Sequence, residues 1–311
     1  PFSDGTDMMG SCRNPAAYTN LYGFRPSPGL IPDKRGESKY PVLTTPGGIA
    51  RTPEDLSIFL DSVSGIDDED HYSYSFEGSF QSIGAYLNSN IRIGWLSNFV
   101  ENYTFEKGII ELCEIALNQF ASAEKKISIE RCNINIDPNK LWEVWCNLRS
   151  KITFDDLSSM HIQNFEELGF PVKWEYEQGE KIKEADISNA INHYLKDRSY
   201  VDSLFDKYDF LALPSAQLFP FDKEIDFPKS IQETQMDTYH RWMEVTVFAS
   251  MFQLPTISVP VGFNEKGLPM GMQLIGKNKS DEKVIHISKY YEEIFNRSKI
   301  QPNIINELQA N

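Results

Sequence analysis

The chain concentrates its reactive side chains in one short segment, residues 5–17, which read GTDMMGSCRNPAA. A hydroxyl and a thiol lie side by side at Ser11 and Cys12, between the opposite charges of Asp7 and Arg13. A serine hydroxyl is a weak nucleophile at neutral pH and needs a group that accepts its proton. A glycine–serine pair is by itself an ordinary turn, so its chemistry depends on the wider pattern. Cys12 has no histidine nearby in sequence, and we interpret it as a small packing residue.

Two other patterns raise the question of a metal ion, and both are better explained without one. The chain has five histidines that share no metal-ligand spacing, namely His71, His161, His193, His240 and His286. The acidic run at residues 67–70 lacks the alternating oxygen ligands and central glycine of a calcium loop, which favours a solvated acidic turn. We therefore expect no metal site.

Several blocks, in order along the chain, resemble the amidase-signature family. Residues 5–17 are similar to the central signature of that family, and residues 22–29 (YGFRPSPG) and 47–56 (GGIARTPEDL) are similar to the blocks that follow it. Near the other end, residues 254–263 (LPTISVPVGF) and 267–276 (GLPMGMQLIG) are similar to its C-terminal pair of strands. Three regions in the family's order make coincidence a poor explanation.

The resemblance implies a catalytic unit of a nucleophilic serine, a second serine preceded by a cis peptide bond, and a lysine. By position, the nucleophile is Ser11. In the family a neutral lysine takes the proton through the bridging serine, and burial can lower the pKa of a lysine enough for this role. Both partners lie upstream of the nucleophile in the family. The bridging serine of the family lies in a Gly/Ser-rich run, and nothing before Ser11 fits except the lone Ser3, so neither role is assigned within this chain.

The turn that precedes the nucleophile has the character of an oxyanion hole, because its backbone N–H groups can point at the negative oxygen of a tetrahedral intermediate. In this chain those groups belong to Met8, Met9, Gly10 and Ser11. Met9 departs from the family, which more often has glycine there. Asp7 and Arg13 flank the turn, and we expect a buried, hydrogen-bonded pair that holds the loop rather than reacts. The implied reaction uses no cofactor.

The elements around these motifs alternate between helices and strands. Thr52 and Pro53 are an N-cap and a first-turn proline, which predict a helix to Val63. Hydrophobic spacing predicts further helices over residues 107–121, from 137 onward, 240–252 and 280–297, with a helical but weakly patterned stretch over 152–197. Strands are predicted over residues 91–96, 126–129, 210–213, 256–261 and 270–275. The pattern indicates an α/β fold, a mixed sheet flanked by helices on both faces.

The resemblance also implies how the domain is organised. It covers roughly residues 1–66 and 205–296, and the middle is not aligned by motif. We expect residues 1–311 to be a single amidase-signature domain, with the sheet incomplete at the N-terminus because the lysine and bridging-serine region is missing from this chain. An unpaired sheet edge promotes aggregation, so we expect the chain alone to aggregate.

Composition limits the classes of partner. The 311 residues, 41% of them hydrophobic, suffice for a sizeable core, and a net charge of −15 argues against direct nucleic-acid binding. Four cysteines without Cys-x-x-Cys spacing are expected to be reduced and mostly buried. The most apolar stretch near the C-terminus, residues 245–263, is interrupted by Pro255 and Pro260, so we expect no membrane span and a cytoplasmic location.

We predict an amidohydrolase that cleaves the C–N bond of a small-molecule carboxylic amide, with esters as a further substrate class, through a serine acyl-enzyme. One alternative is the glutamine-hydrolysing subunit of an aminoacyl-tRNA amidotransferase, although residues 25–32 favour a stand-alone amidase. Another is a non-catalytic homologue that has lost the lysine or the bridging serine. A homodimer is an open option.

Overall fold

The computed structural model describes residues 1–34, 39–82, 89–160 and 164–300. The described strands are β1 (Phe2–Asp7), β2 (Tyr22–Arg25), β3 (Thr45–Ala50), β4 (Ile91–Trp95), β5 (Ile127–Arg131), β6 (Phe210–Pro214), β7 (Ser230–Ile231), β8 (Thr234–Gln235), β9 (Thr256–Phe263) and β10 (Pro269–Ile275). The described α-helices are α1 (Arg13–Thr19), α2 (Pro53–Val63), α3 (Ser97–Asn102), α4 (Ile109–Ala123), α5 (Pro138–Ser159), α6 (Phe170–Lys181), α7 (Glu184–Leu204), α8 (Val247–Met251) and α9 (Asp281–Phe295). Short 3-10 helices cover Phe165–Glu167, Arg241–Thr246 and Arg297–Lys299.

Eight of these strands form one mixed sheet in the order β1-β3-β2-β9-β10-β6-β4-β5. Strands β6, β4 and β5 run parallel, and every other neighbouring pair is antiparallel. β7 and β8 form a separate hairpin. Among the described strands, β1 lies at one edge and pairs only with β3, in the register Phe2↔Ala50 to Asp7↔Thr45.

Helices cover both faces of this sheet, so the predicted α/β fold is confirmed. One buried cluster joins Ile93, Ile257 and Met272 of the strands to the helices α2, α4 and α9. A second cluster joins Leu211 and Leu213 on the opposite side to helices that include α5, α7 and α8. The alternation arises because successive side chains of a strand point to opposite faces of a sheet.

The helix that starts at Pro53 forms as its sequence predicts. The hydroxyl of Thr52 accepts a hydrogen bond from the backbone N–H of Asp55 at 3.0 Å, which caps the first turn. Leu56, Phe59 and Leu60 are buried on one face of this helix.

None of the described helices is long and apolar enough to cross a membrane. All four cysteines are free, and three of them are buried, in agreement with the prediction.

The prediction of one continuous helix over residues 240–252 is wrong. The chain makes a 3-10 helix over Arg241–Thr246 and only then the short helix α8. The carbonyls of Val245 and Thr246 accept hydrogen bonds from the side chains of Gln273 and Arg13, at 3.2 and 2.9 Å. These long-range bonds direct the Thr246 carbonyl toward Arg13 and the Val245 carbonyl toward β10, and a short 3-10 helix accommodates them in place of a continuous α-helix.

Candidate active site

The segment that contains Ser11 is a tight turn between β1 and α1. Gly10 has φ +91°, a left-handed conformation that L side chains rarely adopt. A Cβ at Gly10 would lie 2.3 Å from Oδ1 of Asn14 and 2.8 Å from Cγ2 of Thr246. Both the backbone angle and the packing therefore require glycine immediately before Ser11.

The carboxylate of Asp7 holds this turn by accepting hydrogen bonds from its backbone. Its Oδ1 accepts the backbone N–H of Gly10 at 2.8 Å and Nη2 of Arg13 at 2.8 Å. Its Oδ2 accepts the backbone N–H of Cys12 at 3.2 Å and Nε of Arg13 at 3.0 Å. Burial alone would raise the pKa of Asp7, but the charge and hydrogen bonds of Arg13, helped by Arg25, hold that pKa at about 2. Asp7 is therefore an ionised structural group.

Arg13 connects the turn to distant parts of the chain. The guanidinium is fully buried, and its Nη1 donates to the Thr246 carbonyl at 2.9 Å and to Oε1 of Gln273 at 2.6 Å. Its Nη2 also donates to Oγ of Ser250 at 2.7 Å. Arg25 donates to the backbone carbonyl of Asp7 from the other side. The turn is thus fixed against the 3-10 helix, α8 and β10.

Ser11 lies at the exposed tip of the turn, and its hydroxyl has no hydrogen-bond partner within the described residues. Met8 is partly exposed, whereas Met9 and Gly10 are buried. The sequence predicts the N–H of Gly10 as a free donor. In the structure this N–H donates to the carboxylate of Asp7 instead. Of the four predicted donors, the N–H groups of Met8, Met9 and Ser11 are the ones with no hydrogen-bond acceptor within the described residues.

Asn14 is a supporting residue that sequence reasoning missed. Its backbone N–H donates to the carbonyl of Gly10 at 2.7 Å, and its Nδ2 donates to the carbonyl of Ser215 at 2.7 Å. Gln273, Ser250 and Arg25 were missed in the same way. Gln273 carried a visible signal, because it is a polar residue in the otherwise apolar strand β10, and buried polar groups need partners.

One wall beside the turn comes from the middle of the chain, which the motifs did not align. Sδ of Met8 lies 3.1 Å from Nη1 of Arg149. That guanidinium is held by Oε1 of Glu175 at 2.6 Å and by the hydroxyl of Tyr239 at 2.9 Å. Tyr239 is in ring contact with Phe170, Trp174 and Phe227, so an aromatic cluster adjoins the Met8 side of the turn.

The thiol of Cys12, next to Ser11, is held in its unreactive, protonated form. Cys12 is fully buried, and its thiol packs toward Gly5 and Gly47. Burial, followed by the negative charge of Asp7, raises the pKa of the Cys12 thiol well above its usual value, which keeps it protonated. Among the described residues, no group of three or more histidines, cysteines and carboxylates could hold a metal ion.

The comparison with protein families agrees with this geometry. A family model described as Amidase matches residues 1–285. The chain belongs to the amidase-signature family. The resemblance inferred from the order of the blocks is therefore confirmed, and the match also crosses the middle region that the motifs left open.

Curated relatives with 26–28% identity are described as a subunit of glutamyl-tRNA(Gln) amidotransferase. One from Legionella pneumophila (strain Corby) is 28% identical over 331 residues, covering 97% of this chain and 66% of the relative. One from Saccharolobus solfataricus is 28% identical over 321 residues, covering 93% and 63%. The chain thus spans about two thirds of the length of the curated relatives that it matches.

Two solved structures share the fold over nearly the whole chain. A bacterial aryl acylamidase of the amidase-signature family superimposes with a TM-score of 0.83 at 25% identity, covering 97% of this chain and 65% of that structure. The corresponding glutamyl-tRNA(Gln) amidotransferase subunit from Thermotoga maritima gives a TM-score of 0.74 at 24% identity, covering 94% and 62%. The mixed sheet with two helical layers is therefore the fold of this family.

Proposed function

We propose that the protein is an amidohydrolase in which Ser11 attacks the carbonyl carbon of a small-molecule amide and forms an acyl-enzyme. The observation that carries this proposal is the exposed Ser11 hydroxyl at the tip of a turn that Asp7 and Arg13 fix from beneath. A preorganised turn lowers the cost of bringing the nucleophile and the carbonyl together. Membership of the amidase-signature family supports the reaction class.

The backbone around Ser11 would then stabilise the tetrahedral intermediate. The N–H groups of Met8, Met9 and Ser11 donate no hydrogen bond within the described residues, so they are available to a developing oxyanion. One such donor contributes about 3–4 kcal/mol to a transition state. Collapse of the intermediate would release the amine, and water would then hydrolyse the ester formed at Ser11.

The proton of Ser11 needs an acceptor, and no described residue is hydrogen-bonded to its hydroxyl. We propose that the lysine and bridging serine of the family supply it from a part of the domain outside this sequence. The chain's coverage of only about two thirds of its curated relatives is consistent with that arrangement. No lysine of residues 1–311 is given this role.

A direct test uses a fluorophosphonate probe on the full-length protein, with peptide mapping of the adduct. We expect labelling at Ser11, and we expect Ser11→Ala to lose both labelling and amide turnover while it stays folded. Ser3→Ala is the matched control, because Ser3 lies in the exposed strand β1 that leads to the same turn. Turnover in Ser11→Ala at the wild-type rate would refute the assignment.

The curated relatives favour a second candidate, glutamine hydrolysis within an aminoacyl-tRNA amidotransferase. The similarity to an aryl acylamidase points instead to a stand-alone amidase. Turnover of glutamine and of an acyl anilide by the same preparation separates the two. We expect anilide turnover to exceed glutamine turnover, and the reverse order would establish the amidotransferase interpretation.

A further inference from the structure

The aromatic cluster beside the Ser11 turn, which consists of Phe170, Trp174, Phe227 and Tyr239, is exposed to solvent. Phe170 is 55% exposed, and the other three side chains are partly exposed. Phe170 and Trp174 lie one turn apart on α6, and the ring of Phe170 stacks on that of Phe227 with centroids 5.8 Å apart. Contiguous exposed apolar surface is typical of a binding site. The cluster therefore offers aromatic surface to a ligand.

A single guanidinium links this cluster to the Ser11 turn. Nη2 of Arg149 donates to the hydroxyl of Tyr239 at 2.9 Å, and Nη1 of the same group lies 3.1 Å from Sδ of Met8. Met8 is three residues before Ser11, and its backbone N–H is one of the donors available to the proposed oxyanion. The Tyr239 hydroxyl and the Met8 side chain are thus separated only by the width of this guanidinium and its two contacts. The cluster is therefore within reach of a substrate bound at Ser11.

The charges beside the cluster are balanced. Nε of Arg149 donates to Oε1 of Glu175 at 2.6 Å, and the hydroxyl of Tyr239 donates to the same oxygen at 2.8 Å. Burial and the charge of Arg149 lower the pKa of His240, which adjoins Tyr239, to about 3, so this imidazole is neutral. A charged ligand would find no uncompensated opposite charge among these side chains. An uncharged ring needs none.

We propose that the aromatic cluster binds a flat, uncharged aromatic ring of the amide substrate, so that the Ser11 site selects aromatic amides. This substrate class presupposes the proposed function, because the ring belongs to the amide that Ser11 attacks. Aromatic rings pack edge to face or offset against one another, and such pairs contribute more than the burial of their area alone. The hydroxyl of Tyr239 is held by Arg149 and Glu175, so its ring is already ordered before the substrate binds.

Two pairs of amides, each differing only in the aromaticity of one ring, test this substrate class in the full-length protein. N-Benzylacetamide and N-(cyclohexylmethyl)acetamide place the ring on the amine side, and phenylacetamide and cyclohexylacetamide place it on the acyl side. We expect kcat/KM to favour the aromatic member of at least one pair by about twofold to tenfold, as expected for aromatic pairing. The pair that shows the preference identifies the side of the scissile bond that faces the cluster. Equal kcat/KM within both pairs would overturn the proposal.

Phe170→Leu and Trp174→Leu remove aromatic surface but keep a hydrophobic side chain, and each should bring the ratio of kcat/KM within the pair closer to one. Because Phe170 is 55% exposed, its replacement should leave the fold intact. Phe263→Leu is the matched control, since Phe263 is also exposed but lies in β9 and lines a different cavity. The ratio cancels any change in the folded fraction, so a merely structural role of the rings would not move it. A wild-type ratio in both variants would place the preference elsewhere and refute the cluster.

Binding to Ser11→Ala separates this proposal from the proposed nucleophile. Calorimetric titration of that variant with both pairs of amides measures affinity without turnover. We expect the aromatic member of at least one pair to bind about twofold to tenfold more tightly, and equal affinity within both pairs would overturn the ring site. Failure of fluorophosphonate to label Ser11 in the wild-type protein, with the aromatic preference in binding retained, would instead refute the nucleophile and leave the ring site standing.

Discussion

Asp7→Asn should destabilise the protein and abolish the reactivity of Ser11. The carboxylate accepts four hydrogen bonds, from the N–H groups of Gly10 and Cys12 and twice from Arg13. An asparagine has one acceptor oxygen, and its NH₂ group would point at the N–H groups that bond to the second carboxylate oxygen of Asp7. The substitution also leaves the fully buried Arg13 without its counter-charge.

The magnitude follows from the burial of this pair. Removing one partner of a buried ion pair costs about 3–5 kcal/mol. The lowering of the Asp7 pKa from 3.8 to about 2 corresponds to about 2 kcal/mol of differential stabilisation of the charged form, which is the same order. A domain has about 5–15 kcal/mol of total stability, so the loss is a large share of it.

Urea unfolding and fluorophosphonate labelling measure the two consequences, with Asp4→Asn as control, because Asp4 lies exposed in the same strand. A lowered carboxyl pKa stabilises the fold above 3.8, and that contribution is lost as the pH falls through about 2. The difference between Asp7→Asn and the wild-type protein should therefore be constant from about pH 5 to 9 and shrink below pH 4. An unfolding free energy within about 1 kcal/mol of wild type, with normal labelling, would refute the reasoning.

Two other perturbations have equally definite outcomes. Gly10→Ala should slow fluorophosphonate labelling of Ser11 at least tenfold, because its Cβ would meet Asn14 at 2.3 Å. Gly267→Ala is the control for φ strain, because Gly267 has φ +77° and an added Cβ there would meet nothing within 4 Å. If Gly10→Ala and Gly267→Ala slowed labelling equally, the packing at Gly10 would be unimportant. Glu244, whose pKa rises from 4.5 to about 7 on folding, stabilises the fold below pH 4.5 and loses that contribution as the pH rises to about 7. The difference in unfolding free energy between Glu244→Gln and the wild-type protein should therefore change by about 3 kcal/mol in favour of the variant between pH 4.5 and 7. Urea unfolding at a series of pH values measures it, and a pH-independent difference would contradict the pKa shift.

The fold class and the buried Asp7–Arg13 pair that holds the turn of the candidate site were both predictable from the sequence. The helix from Pro53 has its cap, its first-turn proline and its apolar face within a dozen consecutive residues. The strands β9 and β10 are apolar runs joined by a short turn, and the predicted strands at 256–261 and 270–275 are confirmed within two residues at each end. Periodicity and turn residues carry such information because they need no distant partner.

The strand β1 and the 3-10 helix were not predictable in the same way. The β1 sequence, FSDGTD, has no apolar alternation, and its side chains are mostly exposed. It is a strand because its backbone pairs with β3, from Phe2↔Ala50 to Asp7↔Thr45, far apart in the sequence. The 3-10 helix over Arg241–Thr246 likewise depends on acceptors that Arg13 and Gln273 use from far away. Tertiary context overrides local propensity at both places.

The side chain that holds the signature segment in place, Arg13, depends on partners far away in the sequence. Arg13 reaches Thr246, Ser250 and Gln273, which are 233, 237 and 260 residues away in sequence. The hydrogen bonds that fix Arg13, and with it the Ser11 turn, therefore need the last third of the chain packed against α1. A segment can match the family signature residue by residue and still lack a positioned nucleophile, because the signature contains the turn but not its supports. The proposed reactivity of Ser11 should therefore depend on the packing of the last third of the chain as well as on the local turn.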